Sequence, residues 1–195
     1  MTTKKYETGL VCMRVQPFHK GHQRLIDIML SECKKVIIAI GSANESGTDR
    51  NPLEYRFRRM LIQNVFIREC VSGHLKIIGA NDINDLPRWS TYITSLIPER
   101  VEVYYAGTKQ DAEAFIKYPP KDYSEINVKI IERKNTKILS ASEIRELFYK
   151  GIPKWEKFIP IENIEPTRLA LSGEHPFPLV KKIVFEKLEA LETNT

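Results

Sequence analysis

GLVCMRVQPFHKGHQRLIDIML, residues 9–30, is the stretch that decides the fold. Its first part, Gly9 to Val15, is almost wholly apolar and is typical of a strand. After a short polar segment, apolar residues recur close to the helical period between His22 and Cys33, which predicts a helix. A strand that leads directly into a helix is the opening of a β-α-β unit, so this stretch predicts a parallel sheet.

The same alternation continues along the chain. Further strands are predicted at residues 35–40, 75–79, 101–106 and 127–131, with helices at 54–68, 89–96, 110–117 and 140–150. This spacing predicts an α/β fold with a doubly wound, five-stranded parallel sheet. We expect a main domain over residues 1–160. A helical C-terminal extension over 161–195, with an amphipathic helix over 179–191, is expected to pack on that domain.

Composition and charge restrict the class of protein. The 195 residues are 42% hydrophobic and 28% charged, as in an ordinary globular domain. The first apolar segment is short and contains Arg14, so it does not predict a signal peptide. The longest purely apolar run in the first half of the chain, residues 36–40, is too short to predict a membrane span. Cys12, Cys33 and Cys70 form no CxxC pair, which indicates neither a zinc site nor a disulfide framework and favours a cytoplasmic protein. The net charge of +5 is scattered, so no nucleic-acid partner is predicted.

The loop after the first strand carries the strongest functional signal. Ligands of such sheets bind at the carboxyl ends of the strands. His19 and His22, three residues apart, fall on one face of a helical turn, where they add donors to the free N–H groups of a helix N-terminus. Gly21 leaves room for a phosphate near the backbone. A zinc pair or two surface histidines are the alternatives. A zinc site requires three or four protein ligands, and no acidic or cysteine partner lies nearby in the sequence. Phosphate binding is therefore favoured, and no metal ligand is predicted.

Two other segments are open to more than one interpretation. In SASEIR, residues 140–145, Ser140 and Glu143 form a capping box that helix stability alone explains. Ser142 and Arg145 are three residues apart, so a hydroxyl and a guanidinium could also face one anion. The polar loop GSANESGTDRNP, residues 41–52, places Arg50 after a buried strand. Taken alone, it is typical of a plain surface loop.

Together these segments resemble a known family. RVQPFHKGH, GSANESGTDRNP and SASEIR, with DINDLPRWSTYITSLIP at 82–98, are similar to motifs of the nicotinamide-nucleotide adenylyltransferases, most closely the archaeal-type branch of the HxGH nucleotidyltransferase superfamily. The resemblance spans roughly residues 9–160. It implies a Rossmann-like nucleotidyltransferase fold and an enzyme that joins the AMP part of ATP to nicotinamide mononucleotide, giving NAD and pyrophosphate. It also implies Mg²⁺ bound mainly through the ATP phosphates, and suggests a homo-oligomer.

The resemblance also implies residue roles. Catalytic contacts to the ATP phosphates would come from His19, His22, Arg14 and Arg145. Nucleotide-binding residues would be Gly21, Arg50, Gly107, Ser140 and Ser142. The indole of Trp89 would stack on the nicotinamide ring of the acceptor, and Asp82 would lie beside it.

Several positions depart from the family pattern. Met13 replaces a glycine, Phe57-Arg58 replaces Glu-Arg, and Leu86 stands where an asparagine is expected before the tryptophan. These departures concern the acceptor more than ATP. Three alternatives therefore stay open, namely nicotinate mononucleotide as acceptor, phosphopantetheine as acceptor, and a nucleotide-binding module without catalysis.

Overall fold

The computed structural model describes residues 4–121, 123, 125–132 and 139–193. Its centre is a five-stranded sheet in the order β3-β2-β1-β4-β5, in which every pair of neighbours is parallel. The strands are β1 (Tyr6–Met13), β2 (Cys33–Ile40), β3 (Leu75–Gly79), β4 (Val103–Ala106) and β5 (Asn127–Ile130). The predicted α/β class and the five parallel strands are confirmed.

Helices cover both faces of this sheet. In the described part of the chain they are α1 (Lys20–Glu32), α2 (Tyr55–Val65), α3 (Ile67–Val71), α4 (Leu86–Ser95), α5 (Lys109–Lys117), α6 (Ala141–Tyr149), α7 (Ile164–Leu171) and α8 (Phe177–Glu192), with 3-10 turns at Pro153–Phe158 and Ile161–Asn163. None of these described helices combines the length and the hydropathy that crossing a bilayer requires.

Strand β2 shows why both faces must be covered. Val36 and Ile38 point into a core shared with α1 and α2, whereas Ile37 and Ala39 point into a second core shared with α4 and α5. All four side chains are fully buried. A continuous run of apolar residues is what a strand needs when it is buried on both faces. The doubly wound arrangement is therefore built into the sequence of this strand.

The strand order places a switch point beside β1. From β1 the chain moves outward to β2 and β3, and then returns to add β4 and β5 on the other side. The loops after β1 and β4 consequently leave the sheet in different directions. A crevice opens between such loops at the carboxyl ends of the strands, and this is where open α/β sheets bind ligands.

The second helix is shorter than predicted. A single helix was expected over 54–68, but the structure ends α2 at Val65 and starts α3 at Ile67. Phe66, between them, has φ −114° and ψ 39°, outside the helical region. Its side chain is buried, and its ring meets the Phe18 ring edge-on at a centroid distance of 6.3 Å. Tertiary packing of this ring thus overrides the local helical pattern.

The C-terminal residues contribute to the main core. The Phe177 ring of α8 packs edge-on against Phe57 of α2 at 6.1 Å, and Val180 is fully buried in the same core. Asn163 donates to the Leu61 carbonyl at 2.8 Å. Helix α7 was not predicted, because Pro166 and the short length of the segment obscure its helical period.

Candidate active site

The two motif histidines lie together at the N-terminus of α1. His19 is the N-cap, and its Nδ1 accepts a hydrogen bond from the Gly21 amide at 3.0 Å. The His22 Nδ1 accepts from the His19 amide at 3.4 Å, which completes a capping box made of two imidazoles. The rings are stacked with centroids 3.7 Å apart. A ring nitrogen that accepts carries no proton, so each neutral ring holds its N–H donor at Nε2.

Three arginines share one region of the cleft. Partial burial lowers the pKa of Arg14, and the charge of Arg50 lowers it further, while Asp82 and Asp111 act in the opposite direction. The pKa of Arg145 is lowered by burial, and the charge of Arg14 adds to this effect. These guanidinium groups therefore repel one another across the cleft. Such a concentration of positive charge favours the binding of a polyanion.

Arg145 also connects separate segments of the site. It donates to the Gln16 carbonyl at 2.6 Å and to the Asp49 carbonyl at 3.1 Å. Gln16 is itself buried, and its side-chain amide is hydrogen-bonded in both directions to the backbone of Leu53. The loops after β1 and β2 and the start of α6 are thus held in one arrangement.

Two adjoining cavities occupy the cleft. The first, here called the histidine cavity, is lined by nine of the predicted residues, namely Arg14, His19, Gly21, His22, Arg50, Gly107, Ser140, Ser142 and Arg145. The second, the tryptophan cavity, is lined by the other two, Asp82 and Trp89, together with Leu86. Both cavities include Arg14, Arg50 and Asp111 in their linings, so these side chains lie where the cavities meet. The structure therefore brings all eleven predicted residues to one cleft.

The tryptophan cavity is held by contacts between β2 and the loop after β3. Ser42, at a positive φ of 50°, donates from Oγ to Asp82 at 2.7 Å. The Asp82 amide donates to Asn44 Oδ1 at 3.1 Å. The Trp89 ring is tilted against Tyr92 at a centroid distance of 5.7 Å. Asp82 thus has a fixed position beside a partly exposed aromatic face.

Gly107 lies just after β4. A Cβ built at this position would come no closer than 3.7 Å to a protein atom, the Asp111 Oδ2. That is ordinary van der Waals contact, so neighbouring protein atoms do not require glycine here. The space that a side chain would fill belongs to the histidine cavity.

The sequence did not indicate a site role for several residues, among them Arg58, Asp111 and Cys12. Arg58 is fully buried behind the cleft, Asp111 lines both cavities, and Cys12 does so as well. Burial, with Asp111 and Asp82 nearby, raises the pKa of the Cys12 thiol to about 12, so the thiol is protonated at neutral pH. The sequence did not indicate a site role for Asp111, because Thr108 and Asp111 form an ordinary helix cap, with Thr108 Oγ1 donating to Asp111 Oδ2 at 2.7 Å.

The two serines at the start of α6 differ in their surroundings. Ser140 Oγ donates to Glu143 Oε2 at 2.6 Å and accepts from the Glu143 amide at 3.3 Å, whereas Ser142 is exposed at the cavity edge. We expect Ser140→Ala to lower the free energy of unfolding by about 1 kcal/mol through loss of the cap. Ser142→Ala should instead weaken ATP binding and leave stability unchanged. Thermal unfolding and calorimetric titration of both variants check this, and the reverse pattern would contradict it.

A family model matches this chain. The cytidylyltransferase-like model covers residues 14–147, from the first arginine of the site into α6. The chain belongs to the cytidylyltransferase-like family. The matched segment includes all eleven predicted site residues and the whole sheet from β2 to β5.

Curated relatives of this chain are nicotinamide-nucleotide adenylyltransferases. That of Thermococcus kodakarensis is 37% identical over 153 residues, which is 78% of this chain and 77% of the relative. That of Methanococcus vannielii is 36% identical over 152 residues, covering 78% of this chain and 83% of the relative. The resemblance to the archaeal-type branch is therefore confirmed.

Solved structures share the fold of this family member. A bifunctional NMN adenylyltransferase/ADP ribose pyrophosphatase from Francisella tularensis superimposes with a TM-score of 0.63 at 23% identity, covering 96% of this chain. The same enzyme in complex with AMP and a manganese ion gives a TM-score of 0.58. This chain spans 55% and 54% of those two longer chains. The Rossmann-like nucleotidyltransferase fold is thereby confirmed.

Proposed function

We propose that the protein transfers the adenylyl group of ATP to nicotinamide mononucleotide, forming NAD and releasing pyrophosphate. The observation that carries this proposal is the pair of adjoining cavities that share Arg14 and Arg50. One cavity has the imidazole, guanidinium and helix N-terminal donors that suit a triphosphate. The other has an aromatic face and a carboxylate that suit a pyridinium ring. The reacting phosphates would meet where the cavities join. The names of the curated relatives support the same activity.

The reaction needs positioning and charge stabilisation more than covalent catalysis. An oxygen of the acceptor's 5′-phosphate attacks the α-phosphorus of ATP, the bond to the β-phosphate oxygen breaks, and pyrophosphate leaves with that electron pair. Orienting two bound substrates in this way supplies about 7–11 kcal/mol. Arg14 and Arg50, at the junction, would bind both phosphates and reduce their repulsion. His19 and His22 would donate from Nε2 to oxygens whose charge grows in the transition state.

ATP would enter as its Mg²⁺ complex. The donors that line the histidine cavity are chiefly guanidinium, imidazole and hydroxyl groups, which bind phosphate oxygens. Among the described residues, no group of three His, Cys, Asp or Glu side chains is placed to hold a metal ion. We propose that the cation is carried by the phosphates and water, which is how Mg²⁺ accompanies nucleotides.

The proposal also covers the cellular compartment and the oligomeric state of the protein. We place the protein in the cytoplasm, where its substrate ATP is available and where the thiols of Cys12, Cys33 and Cys70 would stay reduced.

The homo-oligomer suggested by the resemblance remains a prediction, and sedimentation velocity would check it.

Product analysis tests the proposal. The wild-type protein would be incubated with ATP, Mg²⁺ and one of three acceptors: nicotinamide mononucleotide, nicotinate mononucleotide or phosphopantetheine. We expect pyrophosphate release and a mass equal to NAD with the first acceptor. Greater release with either of the others would keep the reaction class and overturn the acceptor. ATP binding without release from any acceptor would overturn catalysis and leave a nucleotide-binding module.

A further inference from the structure

Among the residues that the structure describes, Arg58 on α2 is the largest side chain that is completely buried. It lines neither cavity, yet it donates to the backbone around both. Nη1 donates to the Arg14 carbonyl at 2.9 Å and to the Gly41 carbonyl at 2.7 Å. Nη2 donates to the Ser42 carbonyl at 2.8 Å, with a longer contact of 3.5 Å to the Glu45 carbonyl. One guanidinium therefore joins the ends of β1 and β2 and the loop that follows.

The segments joined in this way carry side chains of both cavities. Arg14 belongs to both linings. Ser42 holds Asp82 through its Oγ, and it does so at a positive φ that is uncommon for serine. The contact from Arg58 to the Ser42 carbonyl therefore helps to hold an unfavourable backbone conformation. A shift of Arg58 would move Arg14 and Asp82 together.

Helix stability alone does not account for this arginine. Burial of a charged group is costly, and burial lowers the pKa of Arg58 to about 10, so the guanidinium remains protonated at neutral pH. Its Nε has no hydrogen-bond partner among the described residues, which adds to the cost. An apolar side chain of similar length at this position would avoid both penalties. What the arginine provides is a planar group that donates to carbonyls following two different strands, Arg14 after β1 and Gly41 and Ser42 after β2.

We propose that Arg58 is a positioning residue that sets the backbone of Arg14 and of Ser42, and thereby aligns the two cavities. This inference rests on the proposed function, since it assigns Arg58 to the alignment of ATP with its acceptor. Arg58 lines neither cavity and so would touch neither substrate. Its effect on ATP therefore passes through Arg14, and its effect on the acceptor passes through Ser42 and Asp82.

A double-mutant cycle on ATP binding tests the inference, because it needs no acceptor. Arg58→Met should weaken ATP binding about tenfold in the wild-type background, but less than about twofold when Arg14 is already alanine, because coupled positions are not additive. Equal losses in both backgrounds would reduce Arg58 to a general structural role and overturn the inference. Arg58→Lys, which keeps the charge but not the planar fork, should recover part of the affinity.

Asn64 supplies the matched control. It lies on the same helix, is also fully buried, and donates to the Glu162 carbonyl at 3.2 Å and to Asn163 Oδ1 at 3.1 Å, outside both cavities. Asn64→Ala should lower the melting temperature and leave ATP affinity unchanged. A loss of ATP affinity in Asn64→Ala as large as that in Arg58→Met would overturn the inference.

Three further outcomes can be told apart. If Arg58→Met does not fold, Arg58→Lys decides, and wild-type ATP affinity in a folded lysine variant would overturn the inference. If the wild type binds ATP but forms no NAD, the proposed function fails while the cycle still reports on Arg58. If the wild type binds no ATP, both fail, and the wild-type measurement alone reveals it.

Discussion

Replacing His22 by alanine is expected to lower kcat by more than a hundredfold, a loss on the order of 3 kcal/mol in transition-state stabilisation. The His22 ring is held by the capping bond from the His19 amide and by stacking on His19 and Phe18, at centroid distances of 3.7 and 5.7 Å. A donor fixed in this way contributes most when charge develops on the phosphates, because it needs no reorganisation at that moment. ATP affinity should change much less than kcat. Steady-state kinetics and calorimetric ATP titration measure the two effects separately.

His74 provides a control of the same residue type. It precedes β3 at the amino ends of the strands, where its Nε2 lies 3.0 Å from the Cys33 carbonyl, and it lines neither cavity. His74→Ala should therefore keep wild-type kcat. Thermal unfolding of both variants would show that the loss in His22→Ala does not come from misfolding. A wild-type kcat in His22→Ala would remove His22 from the catalytic set.

Replacing Trp89 by alanine is expected to raise the KM for nicotinamide mononucleotide by about tenfold, which corresponds to one stacked ring worth about 1–2 kcal/mol. Trp89 lines the tryptophan cavity with Asp82, and its indole is only partly buried, so a ring can approach it. The KM for ATP should change by less than about twofold, because the contact that is lost binds the acceptor and not ATP. Initial rates with each substrate varied in turn measure both constants.

The phenylalanine variant separates stacking from packing. Trp89→Phe keeps an aromatic face and should retain most of the acceptor affinity. If Trp89 acted only through packing, the KM for the acceptor would instead rise with the side-chain volume removed in each of the two variants. An equal rise of both KM values in Trp89→Ala would remove Trp89 from the acceptor site.

Some features of the site were predictable because they are local. The capping box at α6 follows from Ser140 and Glu143 at a spacing of three, and the structure contains it. The pairing of His19 and His22 on one helical turn is predictable in the same way, although the stacking of the rings is not. In both cases the hydrogen bonds close within one turn, so sequence spacing fixes the geometry.

Other features depend on distant segments and carried no local signal. Arg58 keeps the arginine of the family's Glu-Arg pair, but its place after an apolar residue in an amphipathic helix is by itself typical of a solvated surface arginine. Only the packing of α2 against the ends of β1 and β2 brings its guanidinium to the carbonyls of Arg14 and Ser42. The break at Phe66 has the same origin, since the Phe18 ring that packs against it is far away in the sequence.

The sequence by itself determined the fold class, the order of strands and helices along the chain, and the motifs that carry phosphate chemistry, because hydrophobic period, caps and short motifs are properties of neighbouring residues. The tertiary structure alone decided which loops face each other. It brought Asp82 and Trp89 to the same cavity as Arg14 and Arg50, and it made Asp111 a lining residue of both cavities. It also buried the charged side chain of Arg58 behind the cleft. The physical reason is that these contacts depend on the lateral order of parallel strands, which is set by packing across the sheet and not by any single segment.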